Sequence, residues 1–189
     1  MTPILSILTP AIPRRLTQLA TLSDEIARQI GDLPVEHLAL VDNMQRTVGL
    51  KRQALLDSAL GEYVIYLDDD DWITPAYVSH LVAACQRGRD VITFKQRATI
   101  NGKVGHIDFR LNAPADCPWQ EGMTVTRKPW HVCAWKRDLV KDCLYPDIND
   151  GEDIIWCQQA RQMIKTETHI DAELHHYRFD SEHTAATGR

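Results

Sequence analysis

The residues best suited to chemistry are four consecutive carboxylates, Asp68-Asp69-Asp70-Asp71, which end the apolar run Tyr63-Val64-Ile65-Tyr66-Leu67. Adjacent aspartates repel one another, and a hard cation such as Mg²⁺ or Mn²⁺ relieves that repulsion through oxygen ligands. The plainer reading is a solvated acidic turn, with Asp71 or Thr74 capping the next helix. Three further pieces carry charge of interest. Asp42 follows the apolar segment 35–41 and could accept from a ring N–H or a ribose hydroxyl, although a turn or cap is the commoner role of a lone Asp. Lys51 and Arg52 lie near the start of a helical segment, and cations at a helix N-terminus suit bound phosphate. A solvated helix face explains them equally simply. Asp150-Gly151-Glu152-Asp153 puts acids at a helix start, where the helix dipole favours them in any case.

Those side chains need elements to hold them. Apolar, β-branched runs predict strands over 4–8, 35–41, 63–67 and 90–94. The first ends at Thr9-Pro10. Near-helical spacing of Leu16, Leu19, Ile26 and Ile30 predicts a helix over 14–30, stopped by Gly31. Further helices are expected over 48–60, closed by Gly61, and over 75–87. Strands alternating with helices imply βαβ units and a parallel sheet. Open sheets of that kind bind ligands at the carboxyl ends of their strands, where Asp42 and the aspartate run fall. The character changes at Lys95. Asn101-Gly102 predicts a hairpin between 97–100 and 103–109. An irregular stretch rich in Pro and Trp covers 112–135. Helices follow near 137–143 and from Gly151 to about 164, and 166–179 has strand character.

Composition narrows the function classes. At 189 residues the chain suits one domain with a real core. A net charge of −5 argues against a general nucleic-acid coat or a membrane-surface protein. No apolar run is long enough to span a bilayer, and no signal peptide is expected. Five irregularly spaced cysteines without a C-x-x-C speak for reduced thiols and a cytoplasmic setting rather than a disulfide framework or zinc site. Charge is unevenly spread. Between Lys95 and Lys141 nine basic residues face four acids, so this segment is net positive while the rest is strongly negative. Trp119, Trp130, Trp135, His106 and His131 lie in the same stretch. Interleaved basic and aromatic residues can grip an anionic or ring-shaped partner; an ordinary half-buried surface with Trp in the core is the simpler reading.

Taken in order, the segment 4–10, Asp42, Lys51-Arg52-Gln53-Ala54 and the run Gly61 to Asp71 resemble the nucleotide-sugar-binding half of family 2 glycosyltransferases with the GT-A fold. The stretch His131 to Arg137, Tyr145-Pro146-Asp147 and Gly151-Glu152-Asp153-Ile154-Ile155-Trp156 resemble the acceptor half with its Glu-Asp motif. His175-His176-Tyr177-Arg178, followed by Ser181 and Thr184, is similar to the closing segment. The resemblance implies one α/β domain over 1–189. Its GT-A-like (Rossmann-like) central, mostly parallel sheet would be flanked by helices, with a small acceptor-side subregion. Residues 1–94 would bind the nucleotide sugar, and 95–189 the acceptor.

By the same resemblance, the Asp-x-Asp motif falls on Asp68-Asp69-Asp70. Asp70, with Asp68 beside it, would hold Mn²⁺ or Mg²⁺, and Asp68 or Asp69 would approach the ribose and sugar. Asp42 would read the base, usually uracil, although Asp42-Asn43-Met44-Gln45 departs from the usual acid–Gly–Ser pattern there. Thr9, Pro10 and Arg14 would lie along the nucleotide, with Lys51 and Arg52 near the diphosphate. Asp153 would be the catalytic base, with Glu152 beside it. His176, or alternatively His175, would complete the metal or diphosphate site, and Arg178 would touch phosphate. The implied activity is metal-dependent, inverting transfer of a sugar from a nucleoside diphosphate donor, a uridine diphosphate sugar, to an acceptor hydroxyl. The basic middle segment adds an anionic acceptor, such as a phosphorylated glycan or a modified DNA base. A rival is a metal-dependent nucleotidyltransferase using the same aspartates; the absence of glycine from Thr9-Pro10-Ala11-Ile12-Pro13 counts against its phosphate loop. A non-catalytic nucleotide-sugar-binding module is the other rival, and it would need Asp70 but not Asp153.

Overall fold

A computed structural model describes residues 2–114 and 116–181. Three parallel strands form the first half of the sheet: β1 (Leu5–Ala11) lies between β2 (Val35–Val41) and β3 (Tyr63–Tyr66). Every residue of β1 and β3 is buried, as expected of strands covered on both faces. Their side chains alternate between two cores. Leu5, Ile7, Tyr63 and Ile65 pack with Leu22 and Ile26 of α1 (Leu16–Ile30) and Tyr77, Val78 and Leu81 of α3 (Tyr77–Cys85). Leu8, Val64 and Tyr66 face the opposite way, toward Leu55 and Leu56 of α2 (Val48–Ser58).

The sheet then becomes mixed. In its second half β8 (Ala134–Lys136) runs antiparallel to β3 and to the start of β5 (Val91–Ile100). Further along the same edge, β5 pairs with β6 (Lys103–Phe109), which pairs with β7 (Thr124–Arg127). The other edge of β5 carries β9 (Glu167–Phe179), which also pairs with the two-residue β4 (Trp72–Ile73). Two helices complete the second half, the short α4 (Arg137–Val140) and α5 (Glu152–Met163).

Several elements differ from the sequence expectation. Strand β1 continues through Thr9 and Pro10 to Ala11. Pairing with β3 stops at Leu8, so the missing N–H of Pro10 interrupts no ladder on that side. The expected strand over 90–94 and the first hairpin arm are one continuous β5, turning at Asn101 (φ 48°) and Gly102 (φ 78°) into β6. The 112–135 stretch contains β7 and leads into β8. Neither Asp71 nor Thr74 caps α3 with its side chain; Gln29 Oε1 of α1 accepts from the Val78 N–H in its first turn instead. Thr184 lies outside the described residues. No helix among the described residues is long and apolar enough to cross a membrane. Cys85, Cys133, Cys143 and Cys157 are buried without disulfides, and burial pushes the Cys85 and Cys133 thiols up to about 12. They act as small apolar residues of the core.

Beneath the site, Thr9 is fully buried and its Oγ1 lies 3.0 Å from Nε2 of His37 on β2. Burial holds the His37 imidazole down to about 4. The unfolded chain therefore binds this proton near pH 6.5 and the folded chain only near 4. Stability contributed by neutral His37 is complete above about pH 6.5 and is lost as pH falls through about 4. The total is up to about 3 kcal/mol. In urea melts between pH 7 and 4, His37→Gln should show a flatter loss of stability than the native chain; identical slopes would contradict the assignment.

Candidate functional site

The carboxyl ends of β1, β2 and β3 lie side by side, and the charged residues of both halves of the chain converge there. Arg52 is the hub. It is 3% exposed, and its Nη2 donates to both oxygens of Asp68 at 2.8 and 3.1 Å. Its Nε donates to Glu152 Oε1 at 3.2 Å. The guanidinium lies 5.2 Å from the centroid of the Tyr66 ring. Burial opposes the Arg52 charge, but Asp68, then Tyr145 and Glu152, outweigh it and raise its pKa. Burial in turn raises Glu152, with Arg52 partly offsetting it. One buried guanidinium thus ties the aspartate run to the Glu-Asp pair 100 residues away.

A second arginine organises the other aspartates. Arg15 Nη1 donates to Asp69 Oδ1 at 2.9 Å, and its Nη2 pairs with Asp70 Oδ2 at 2.9 Å. The Ile12 N–H donates to Asp69 Oδ2. Asp69 is 2% exposed, and burial still raises its carboxyl despite Ile12 and Arg15. It braces the Pro13–Arg15 turn against the aspartate run and also lines the cleft beside Asp70. The 3-10 turn Pro13–Arg15 points Arg15 inward and leaves Arg14 exposed. Arg14, the residue expected along the nucleotide, stays at the surface, and the aspartate contacts fall to its neighbour Arg15 because the direction of one short turn decides between them.

Asp71 lines the same cleft as Asp69 and Asp70 but is fastened to a histidine. Its Oδ2 lies 2.9 Å from Nε2 of His175, and both side chains are buried. His175 therefore fastens β9 to β4 and is not placed as a metal ligand. His176 stands opposite Trp72 in the β4–β9 pair, and its Nε2 lies 2.8 Å from Thr99 Oγ1 on β5. Arg178 does reach the site. It lines a cleft of about 220 Å³ with Asp69, Asp70, Asp71 and Trp72 on one side and Thr17, Gln18 and Thr21 of α1 on the other.

Other expected nucleotide contacts are engaged internally. Thr9 and Pro10 are buried in β1. Lys51, 2% exposed, donates to the Ala11 carbonyl at 2.8 Å and lies 2.9 Å from Asp42 Oδ1. Asp42 Oδ2 accepts from the Arg46 N–H. The N-terminus of α2 does not face a phosphate position. Thr47 caps it, donating in turn to Asp147, and Asn149 accepts from the Val48 N–H. Gly49 allows this docking: a Cβ there would sit 1.9 Å from the Pro146 carbonyl oxygen.

Asp153 stands in the first turn of α5, after Gly151 in a left-handed conformation (φ 79°). Trp130 Nε1 donates to its Oδ2 at 3.0 Å, and His131 Nδ1 lies 3.3 Å from the same oxygen. Burial favours the neutral acid, but His131, Arg52 and Trp130 outweigh it and hold the carboxyl well below the usual range. The ionised carboxylate is thus the form that His131, Arg52 and Trp130 favour. Glu152, 5% exposed and paired with Arg52, supports the site from behind.

The fit of a divalent ion follows from the donors. Asp68 and Asp70 keep 21% of their side chains exposed. Among the described residues no three His, Cys, Asp or Glu side chains form a ready metal cage. That set suits an ion held by one or two carboxylates and completed by substrate phosphate oxygens, the manner common for Mg²⁺.

The basic middle segment is largely spent on internal partners. Lys95 pairs with Asp171, Lys103 with Glu121, Arg110 with Asp108 and Lys141 with Asp138. Arg127 and Arg137 donate to the carbonyls of Cys117 and Gly61. Trp135 is a core residue, while Trp130 of this segment reaches Asp153.

A parallel α/β sheet flanked by helices, with carboxylates and arginines gathered at its strand ends, defines a nucleotide-binding type of domain. Residues 23–141, more than half of the chain, match the model of glycosyl transferase family 2, and the chain belongs to that family. No curated protein matches the sequence. Among solved structures, Staphylococcus aureus TarS 1-349 superposes with a TM-score of 0.65 at 16% identity, covering 92% of this chain and 60% of that one. The same protein in complex with UDP-GlcNAc gives 0.65 at 14% identity, covering 94% and 59%. The bifunctional IspDF from Campylobacter jejuni gives 0.52 at 10% identity, covering 89% and 50%. The chain thus spans about three-fifths of the TarS 1-349 chain it resembles, and at these identities the likeness concerns the fold, a GT-A arrangement.

Proposed function

We propose that this domain transfers a sugar from a nucleoside diphosphate donor, a uridine diphosphate sugar, to an acceptor hydroxyl with inversion at the sugar carbon. The observation that carries the reading is Arg52, which joins Asp68 to the Glu152-Asp153 pair and so sets a donor site and a base in one frame. Membership of glycosyl transferase family 2 supports the reaction class. The structurally similar TarS binds UDP-GlcNAc, which supports the donor class.

Transfer requires a stabilised leaving diphosphate and a deprotonated acceptor. Asp70 and Asp68 would hold Mg²⁺ or Mn²⁺, which when bound supplies charge neutralisation of the diphosphate. Arg178 in the same cleft adds a fixed positive charge where the leaving group gains negative charge. Trp72, 37% exposed beside it, offers an apolar wall to base or sugar. Asp153 takes the acceptor proton as its oxygen attacks the sugar from the side opposite the diphosphate. A carboxylate held as a weak base suits a reaction in which the leaving group departs early and the proton moves late. An anionic acceptor would draw on Arg178 together with Arg97, paired to His176 on the neighbouring strand. A nucleotidyltransferase finds no such use for Asp153.

The test is calorimetric titration of the chain with uridine diphosphate, with and without Mn²⁺. Binding that requires the metal is expected. Binding of other nucleoside diphosphates alone would reassign the base, and no binding of any would remove the reading.

A further inference from the structure

The base does not stand alone. Trp130 and His131, adjacent in sequence, both turn onto Asp153 Oδ2, at 3.0 and 3.3 Å. Each is itself held. The His131 carbonyl accepts from the Tyr66 N–H at 3.3 Å, fixing that residue to the end of β3 just before the aspartate run. Its ring is 7% exposed and meets Tyr66 edge-on at 6.4 Å. Trp130 lies under the Arg161 guanidinium at 5.0 Å, and Arg161 also donates to the Pro129 carbonyl and to Asp116. His131 Nδ1 is buried and has no partner in hydrogen-bond geometry, and Asp153 Oδ2 stands 3.3 Å from it. A buried ring nitrogen left in this state is costly unless a small movement completes the bond. Substrate-free sites often show such long contacts, which tighten when the acceptor arrives.

We propose that His131 is a positioning residue for the base, its Nδ1–H closing onto Asp153 Oδ2 so that Oδ1, which the Ile154 N–H holds at 2.8 Å, keeps its remaining lone pair for the acceptor hydroxyl. The inference deepens the glycosyltransferase reading and rests on it for its catalytic meaning. The acceptor O–H bond breaks, its proton passes to Asp153 Oδ1 and the acceptor oxygen bonds to the sugar carbon as the bond to the diphosphate breaks. His131 neither gains nor loses a proton in that step. The charged and titratable groups around the pair are Arg52 on α2, Glu152 and Cys157 on α5, and Tyr66 and Tyr145 from the β3 and pre-α5 segments.

The experiment compares His131→Phe, which removes the donor, with His131→Asn, which keeps a short N–H donor near the Nδ1 position. Two readouts are used: carboxyl ¹³C titration of Asp153, and the pH profile of sugar transfer. In His131→Phe the Asp153 titration is expected to move to higher pH, with kcat down roughly 10–100-fold and donor KM little changed. His131→Asn should restore most of the rate. An unchanged Asp153 titration in His131→Phe would overturn the inference, whatever the activity. Failure of the parent reading looks different: no nucleoside diphosphate would bind and no sugar would be transferred by the native chain, while the Asp153 titration in His131→Phe still moved.

Discussion

Replacing Arg52 with Met is expected to lower stability by about 3–5 kcal/mol at neutral pH and to abolish measurable transfer. The side chain is buried, and methionine fills much of its volume, so the loss arises from charge rather than from a cavity. Asp68 and Glu152 would each lose their guanidinium. Glu152 is the more exposed to this loss, because burial already raises its carboxyl with Arg52 in place. A carboxyl whose folded pKa is raised costs stability above its ordinary range, and that cost fades as pH falls. The variant should therefore approach the native chain in stability toward acid pH, as read by denaturant melts at pH 7 and pH 5. Arg52→Lys keeps the charge but not the fork that reaches both acids, and should recover only part of the loss. A methionine variant that melts like the native chain at pH 7 would show the hub to be dispensable.

The same residue shows how far the sequence can be read. Lys51 and Arg52 stand out by charge at a helix start, and phosphate is the natural partner to propose for them. The structure turns both inward, onto Asp42 and onto Asp68 with Glu152. What hides this is distance along the chain: the acids that capture Arg52 lie 16 and 100 residues away. Local pattern does reveal the three parallel strands and the helices between them, since burial on both faces leaves continuous apolar runs. Long-range pairing is less legible. Nothing local says that Asp71 will meet His175, or that the N-terminus of α2 will be filled by Asp147 and Asn149. Arg15 was one residue from the arginine proposed, and no spacing rule could choose between them. Trp130 and His131 were visible only as part of a basic, Trp-rich stretch. Their value lies in both reaching one oxygen of Asp153, a property of the loop before β8 and of the φ at Gly151.

Asp153→Asn should reduce turnover by about 10²–10⁴-fold while leaving uridine diphosphate affinity within about twofold. The change is nearly isosteric, and the Asn carbonyl can still accept from Trp130, so the fold and the donor cleft should persist. Only the capacity to take a proton is lost. Asp70→Asn makes the useful contrast. It lies in the cleft with Arg178 and pairs with Arg15, so its loss should weaken metal-dependent nucleotide binding before any effect on the proton step. Binding by calorimetry and transfer by product formation separate the two variants. A sensor that only binds nucleotide sugars would lose function in the second and notice nothing in the first. If Asp153→Asn transfers sugar at the native rate, the base lies elsewhere. The carboxylate held low by His131, Arg52 and Trp130 would then serve only to anchor α5 to the loop before β8.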